Sequence, residues 1–364
     1  MIKKTYILLI IIGQLLISCK KDVQIIRGCT DYRAVNYNPS ANFNDGSCSI
    51  YQTTPYYIVI PEGFPNMEIP KDNQLTEEGV SLGKKLFNDP ILSANNNQSC
   101  ASCHLKEKAF SDPNRFSIGI QGIQGIRNAS SLINVGWNDS LNWDGSSNSL
   151  EKQAFEPVTN PFEMHNTWLN VEKNINNDST YKILFKQAFG IDYIDSTSIV
   201  KAISQFERTI ISSNSKYDKW LKKEVQLTPS ELNGYAIFNS EIGDCFHCHI
   251  LPGLFMDNLF HNNGLDSEPF EDLGLAIVTN KMNDQGKFKT ATLRNIELSA
   301  PYMHDGRFAT LEEVVEHYNS GIQESSTLDP ILKKNGIGLQ LTNKQKEDLV
   351  SFLKTLTDPS ISNN

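Results

Sequence analysis

The stretches Cys100-Ala101-Ser102-Cys103-His104 and Cys245-Phe246-His247-Cys248-His249 decide how this 364-residue chain is read. Each places two thiols three residues apart with an imidazole directly after the second. That spacing suits covalent capture of a haem. The thiols add across its two vinyl groups, and the adjacent His reaches the iron. A four-Cys zinc site competes for any two Cys pairs, but it does not call for a His after both. The expected cofactors are two haem c groups, attached through Cys100, Cys103, Cys245 and Cys248, with His104 and His249 on the irons.

Outward from the motifs the chain echoes itself. Leu75-Thr76 opens a segment that reaches Leu86-Phe87-Asn88 shortly before the first motif, and Leu227-Thr228 opens one that reaches Ile237-Phe238-Asn239 shortly before the second. Thr228-Pro229-Ser230-Glu231 is a capping box with Pro at the first helical position. Thr342-Asn343-Lys344-Gln345 is another, starting a last helix with Leu349, Phe352, Leu353 and Leu356 along one face. Period-two alternation is scarce. The expected fold is mainly α, with two cytochrome c-like haem domains over 75–225 and 226–364.

Hydrophobic residues make up 39% and charged residues 21%, which describes a soluble globular protein. A net charge of −9 argues against a nucleic-acid partner. Residues 1–19 resemble a bacterial lipoprotein signal: Lys3 and Lys4, an apolar run from Tyr6 to Ile17 too short to span a bilayer, then Ser18-Cys19. This predicts a lipidated Cys19, a membrane anchor and a place in the periplasm or cell envelope; a plain signal peptide is the alternative. Of the seven cysteines, Cys29 and Cys48 are then left over, and in an exported protein a disulfide is the default. They bracket a small Asn-, Asp- and Gly-rich loop module, 27–51, read as turns. Its acidic loop suits a Ca²⁺ or serves only as a disulfide-pinned spacer. A Pro-rich linker, 52–74, follows.

From about residue 60 to 358 the chain resembles the bacterial diheme cytochrome c peroxidases and their relative MauG. The resemblance rests on Phe110-Ser111-Asp112, Arg127-Asn128, Leu132-Ile133-Asn134, Trp143-Asp144-Gly145, Leu150-Glu151, Gln153-Ala154, Pro157 and Glu163-Met164. It continues with Leu293-Arg294-Asn295, Ala300-Pro301-Tyr302-Met303-His304-Asp305-Gly306 and Thr310-Leu311-Glu312-Glu313. It implies a peroxidatic haem on His104 with an open face lined by Gln153, Pro157 and Glu163. There Glu163 would move the proton that O–O cleavage requires, and Gln153 would orient the peroxide. It implies an electron-transfer haem on His249, with Trp143 as relay between the two. A Ca²⁺ would sit on Asn128 and the carbonyls of Ser299 and Pro301, where Ser replaces the family's usual Thr.

Two departures stand out. Where classical members carry a His that caps the peroxidatic iron, this chain has Ile120, so the first haem is expected to be open as isolated. Where they carry a Met ligand for the second haem, it has Tyr318, as MauG does; Met303, Met282 or no side chain at all are the alternatives. The implied activity is reduction of hydrogen peroxide with electrons from a small donor protein, a cytochrome c or cupredoxin. A MauG-like enzyme that oxidises a protein side chain and a non-catalytic electron-transfer cytochrome are the competing readings.

Overall fold

A computed structural model describes residues 24–32, 34, 36–48, 52–333 and 338–363. The apolar run and Cys19 lie outside these residues. No helix among them is long and apolar enough to cross a membrane. The chain forms two compact units, 1–51 and 52–364.

In the first unit, the two-residue strands β1 (Arg27–Gly28) and β2 (Phe43–Asn44) pair in parallel. The Cys29–Cys48 disulfide is formed, with Cα atoms 4.7 Å apart. The acidic loop closes on itself: Asn44 Oδ1 accepts from the Gly46 N–H and Asp45 Oδ1 from the Ser47 N–H. These are local turns of the kind Asn and Asp side chains favour.

The second unit is mainly helical. Its first half contains α1 (Glu77–Asn88), α2 (Leu150–Gln153), α3 (Glu156–Thr159), α4 (Trp168–Asn177), α5 (Ser179–Phe189) and α6 (Ser196–Glu207). Next come α7 (Lys216–Leu221), α8 (Pro229–Phe238), α9 (Ala276–Thr279), α10 (Leu311–Glu316), α11 (Pro330–Lys333), α12 (Asn343–Lys354) and α13 (Ser360–Asn363). An antiparallel pair, β3 (Phe260–His261) and β4 (Phe288–Lys289), lies between α8 and α10.

The helix starts follow from the sequence. Thr228 Oγ1 accepts from the Glu231 N–H while the Glu231 carboxylate accepts from the Thr228 N–H, so two of the orphan donors of α8 are satisfied reciprocally. Thr342 and Gln345 do the same for α12, and Thr76 caps α1.

The echo seen in the sequence is a structural repeat. Helix α1 crosses α6, and α8 crosses α12, each at a glycine. A Cβ on Gly83 would lie 1.9 Å from the Ala202 carbonyl oxygen, and one on Gly234 would lie 1.9 Å from that of Asp348. Only a residue without a side chain lets the backbones approach so closely. Each crossing seeds its own core, one including Leu82, Leu86, Phe185 and Ile203, the other Phe238, Leu349, Phe352 and Leu356. Replacing Gly234 by Val is therefore expected to cost about 1–3 kcal/mol through overpacking, read by denaturant unfolding of the holoprotein. Lys354→Ala, on the exposed side of α12, should change stability by less than about 0.5 kcal/mol.

Candidate functional site

The two Cys-x-x-Cys-His motifs adopt one conformation. Cys100–Ser102 and Cys245–His247 each wind as a single 3₁₀ turn, and the backbone N–H groups of His104 and His249 donate to the carbonyls of Cys100 and Cys245. The chain then returns, so that His104 Nδ1 lies 2.9 Å from the Phe110 carbonyl oxygen and His249 Nδ1 lies 2.8 Å from that of Phe255. A carbonyl only accepts, so Nδ1 carries the proton in both rings and Nε2 is left with its lone pair. Phe110 and Phe255 reach this position with φ of 54° and 55°. Burial lowers the pKa of both imidazoles, which keeps them neutral. Burial also raises the thiols of Cys100, Cys103 and Cys245, the last to about 12. The four cysteines that remain free among the described residues are the four of the motifs.

Around the first motif the fold gathers three of the residues predicted for an open face. The Ile120 N–H donates to the Glu163 carbonyl at 3.0 Å, and the Met164 N–H donates to the Pro157 carbonyl at 3.1 Å. Backbone bonds thus hold Ile120, Pro157 and Glu163 together. The Glu163 carboxylate accepts from Asn160 Nδ2 at 2.7 Å. Burial pushes its pKa up, the Asn160 bond opposes this, and the charge of Glu156 adds to it. Glu163 in turn raises the pKa of both Cys100 and Cys103, so it acts at the motif itself. Gln153 ends α2, half-buried, and its side chain makes no hydrogen bond among the described residues.

Around the second motif lies a cavity of about 260 Å³. Its wall includes Cys245, Cys248, His249, Trp143, Tyr318 and Met303, together with apolar side chains such as Phe238, Leu349 and Leu353. Two thiols, a ring nitrogen with a free lone pair and an apolar wall fit a covalently bound tetrapyrrole. Tyr318 belongs to a single π turn, His317–Gly321, a distortion frequent at functional sites. Asn263 Nδ2 lies 3.4 Å from both Tyr318 Oη and Met303 Sδ, so the candidate donor atoms lie together around one amide of the wall. Burial raises the Tyr318 phenol to about 12. Met282, a third candidate from the sequence, is 77% exposed and is not on the wall, which removes it.

Trp143 is fixed by donating Nε1–H to the Asn128 carbonyl at 2.8 Å, and the Asn128 N–H donates to the His304 carbonyl at 2.7 Å. Asn128, Ser299 and Pro301 line the same cavity. Asn128 Nδ2 is committed to the carbonyls of Asn114 and Arg115. Two further histidines have structural partners: His261 is held between Asp257 and Asp329, and His317 Nε2 contacts the Asn263 carbonyl.

Sequence reasoning missed two buried charges. Lys289, on β4, is 9% exposed and faces the cavity. Glu207, at the end of α6, is 5% exposed, and its Oε2 has no hydrogen-bond partner. Burial raises Glu207 to about 8, opposed by Arg208 and assisted by Glu151, and its charge raises Cys100. The structural repeat, rather than any local sequence pattern, shows why Glu207 lies inside. Phe206 and Phe352 pack on equivalent glycines, so Glu207 stands where the second half has Leu353 on the cavity wall.

A raised carboxyl pKa means that the folded state holds a proton the unfolded chain has lost. Stability should therefore fall as pH rises from about 4.5 through about 8. Glu207→Gln should flatten that part of the profile, read as holoprotein melting temperature between pH 5 and pH 8.5; an equally steep profile in the variant would contradict the assignment.

The fold and the paired cradles define a helical protein with two c-type haem attachment motifs. Comparison with known proteins narrows this. The family model described as di-haem cytochrome c peroxidase matches residues 77–226. Methylamine utilization protein MauG of Methylophilus methylotrophus is 33% identical over 300 residues, covering 81% of this chain and 86% of the relative. Cytochrome c551 peroxidase of Nitrosomonas europaea is 36% identical over 283 residues, covering 76% and 79%. The crystal structure of a MauG-like protein associated with microbial copper homeostasis superposes with a TM-score of 0.78 at 35% identity, covering 84% of this chain and 97% of that one. The chain belongs to the diheme cytochrome c peroxidase and MauG family, whose members are oxidoreductases. Membership implies two c-type haems.

Proposed function

We propose that this chain is an exported peroxidase that reduces hydrogen peroxide to two waters with two electrons and two protons, and that the reaction takes place beside His104. Two cytochrome c-like domains, 75–225 and 226–364, would each hold one haem. Haem supplies a redox-active iron able to deliver electrons to peroxide. The residues supply the rest. Cys100 and Cys103 attach one group and Cys245 and Cys248 the other, while His104 and His249 present Nε2 to the irons.

The observation that carries the reading is the gathering of Ile120, Pro157 and Glu163 beside the first motif. The spacing that relates Trp143 to His304 also relates Pro157 to Tyr318, and the two helices that follow, α2 and α10, start in matching register. The first half thus places a side chain with no donor atom where the second half places a phenol. Glu163, its pKa raised by burial, is suited to accept the proton of one peroxide oxygen and return it to the other. Asn160 fixes the carboxylate, and Gln153 is free to orient the substrate.

Electrons from a small donor protein, a cytochrome c or cupredoxin, would enter on the His249 side, and Trp143, locked by Asn128, would pass them across. The amide oxygen of Asn128 and the carbonyls of Ser299 and Pro301 are hard neutral oxygens of the kind that suit Ca²⁺. The disulfide agrees with an oxidising compartment, in line with export and lipidation at Cys19 in the periplasm or cell envelope.

Glu163→Gln should lower peroxide turnover with a reduced cytochrome or dye by about 10²–10⁴-fold; full activity in that variant would remove Glu163 from the site. The position of Tyr318 favours a second reading, since an anionic oxygen ligand stabilises ferric iron and lowers the potential relative to Met. That suits a MauG-like enzyme storing oxidising equivalents for a protein substrate. Slow turnover with small donors, together with oxidising equivalents that persist until a protein partner is added, would select this reading. Tyr318→Phe should change the absorption spectrum and raise the midpoint potential of the His249 haem; an unchanged spectrum and potential would rule out Tyr318 as its ligand.

A further inference from the structure

Lys289 is the single lysine or arginine on the wall of the cavity that holds Cys245, Cys248 and His249. No acidic partner accompanies it among the described residues: none of the ion pairs there includes its ammonium group, and burial alone lowers its pKa, to about 8. Keeping an unpaired cation out of water costs several kcal/mol. Of the three histidines on the wall, burial keeps His249 and His304 neutral, and His261 does not share the situation of Lys289. Its ring is clamped by Asp257 and Asp329, which raise it to about 12, so its charge is already compensated. The wall therefore has one uncompensated positive charge, set among apolar side chains.

The group proposed for this cavity has complementary chemistry. Haem is apolar over its ring and carries two propionate carboxylates, ionised at neutral pH. The thiols take up its vinyl groups, so the propionates must find their counter-charge elsewhere on the wall. Resting on the diheme reading above, we propose that Lys289 is the counter-ion of a propionate of the haem attached at Cys245 and Cys248. The backbone gives the pairing a further consequence. The Lys289 N–H donates to the Trp143 carbonyl at 2.9 Å, and β4 pairs with β3, which carries His261. A propionate held by Lys289 is tied through one backbone bond to the segment carrying Trp143. Lys289 then acts as a positioning residue for the electron path and raises the potential of its haem by stabilising the reduced, less positive iron.

The test uses holoprotein whose haem propionate carboxyls are ¹³C-labelled by feeding labelled 5-aminolevulinate, with Lys289→Met and Lys289→Arg. Redox-difference infrared spectra report the labelled carboxylates, and spectroelectrochemistry reports the potentials. In Lys289→Met, a labelled carboxylate band should shift or give way to a protonated-acid band, and the potential of the His249 haem should fall while that of the other stays in place. In Lys289→Arg, the potential should remain near the native value while the labelled band shifts, because a guanidinium replaces the ammonium. Unchanged bands and potentials in Lys289→Met overturn the pairing. Should that variant fail to accumulate, an unchanged labelled band in Lys289→Arg overturns it equally. A haemochrome assay keeps the two failures apart: fewer than two c-type haems per native chain overturns the diheme reading and this proposal together, whereas two haems with unmoved bands overturn this proposal alone.

Discussion

A histidine can ligate a metal only if one ring nitrogen keeps its lone pair, and here a single backbone carbonyl enforces that twice. The Phe110 and Phe255 oxygens take the Nδ1 protons of His104 and His249. Much of the surrounding chain serves this bond. The 3₁₀ turn sets the thiols and the ring on one side, and a residue with positive φ turns the carbonyl back towards the imidazole. Phe87 and Phe238, one in each half, pack against Phe110 and Phe255 and hold those carbonyl-bearing residues in place. The glycine crossings fix the helices from which these rings project. Attachment chemistry and fold are thus one constraint rather than two.

On that common frame the halves diverge through few side chains. Tyr318 in one corresponds to Pro157 in the other, and Leu353 corresponds to Glu207. A phenol and a leucine make a closed, apolar environment with a potential ligand. A proline and a buried carboxyl make one that offers no ligand atom at the matching position and holds a proton close to Cys100. The duplicated fold supplies identical holders, and the chemical difference is confined to the positions facing what they hold.

What could be read in the sequence was what is local. The Cys-x-x-Cys-His runs and the Thr228–Glu231 and Thr342–Gln345 capping boxes each act within a few residues, so their spacing is their geometry. Glu163 was legible only through its resemblance to a family, since nothing nearby in sequence shows that Asn160 orients it or that Ile120 lies against its backbone. The Cys29–Cys48 pairing followed from accounting for thiols and is present in the structure. Met282 could not be discarded from sequence, because its exposure depends on the loop between α9 and β4. Glu207 and Lys289 were invisible for a different reason. Glu and Lys ordinarily mark solvent, and the pattern does not say when a helix end or a short strand turns such a residue inward.

Buried ionisable groups of this kind are costly, and their distribution is informative. His261 is compensated by two aspartates and Arg294 by Asp218, whose carboxylate it meets with both oxygens within 2.8 Å. These pairs leave neither buried cation without a counter-charge. Lys289 lacks such compensation and faces the second attachment motif, while Glu207 avoids an unpaired charge beside the first by holding a proton. A protein core tolerates an uncompensated charge where something outside the polypeptide completes it. The two residues that violate the rules of core composition thus mark, one in each half, where the polypeptide alone is an incomplete structure.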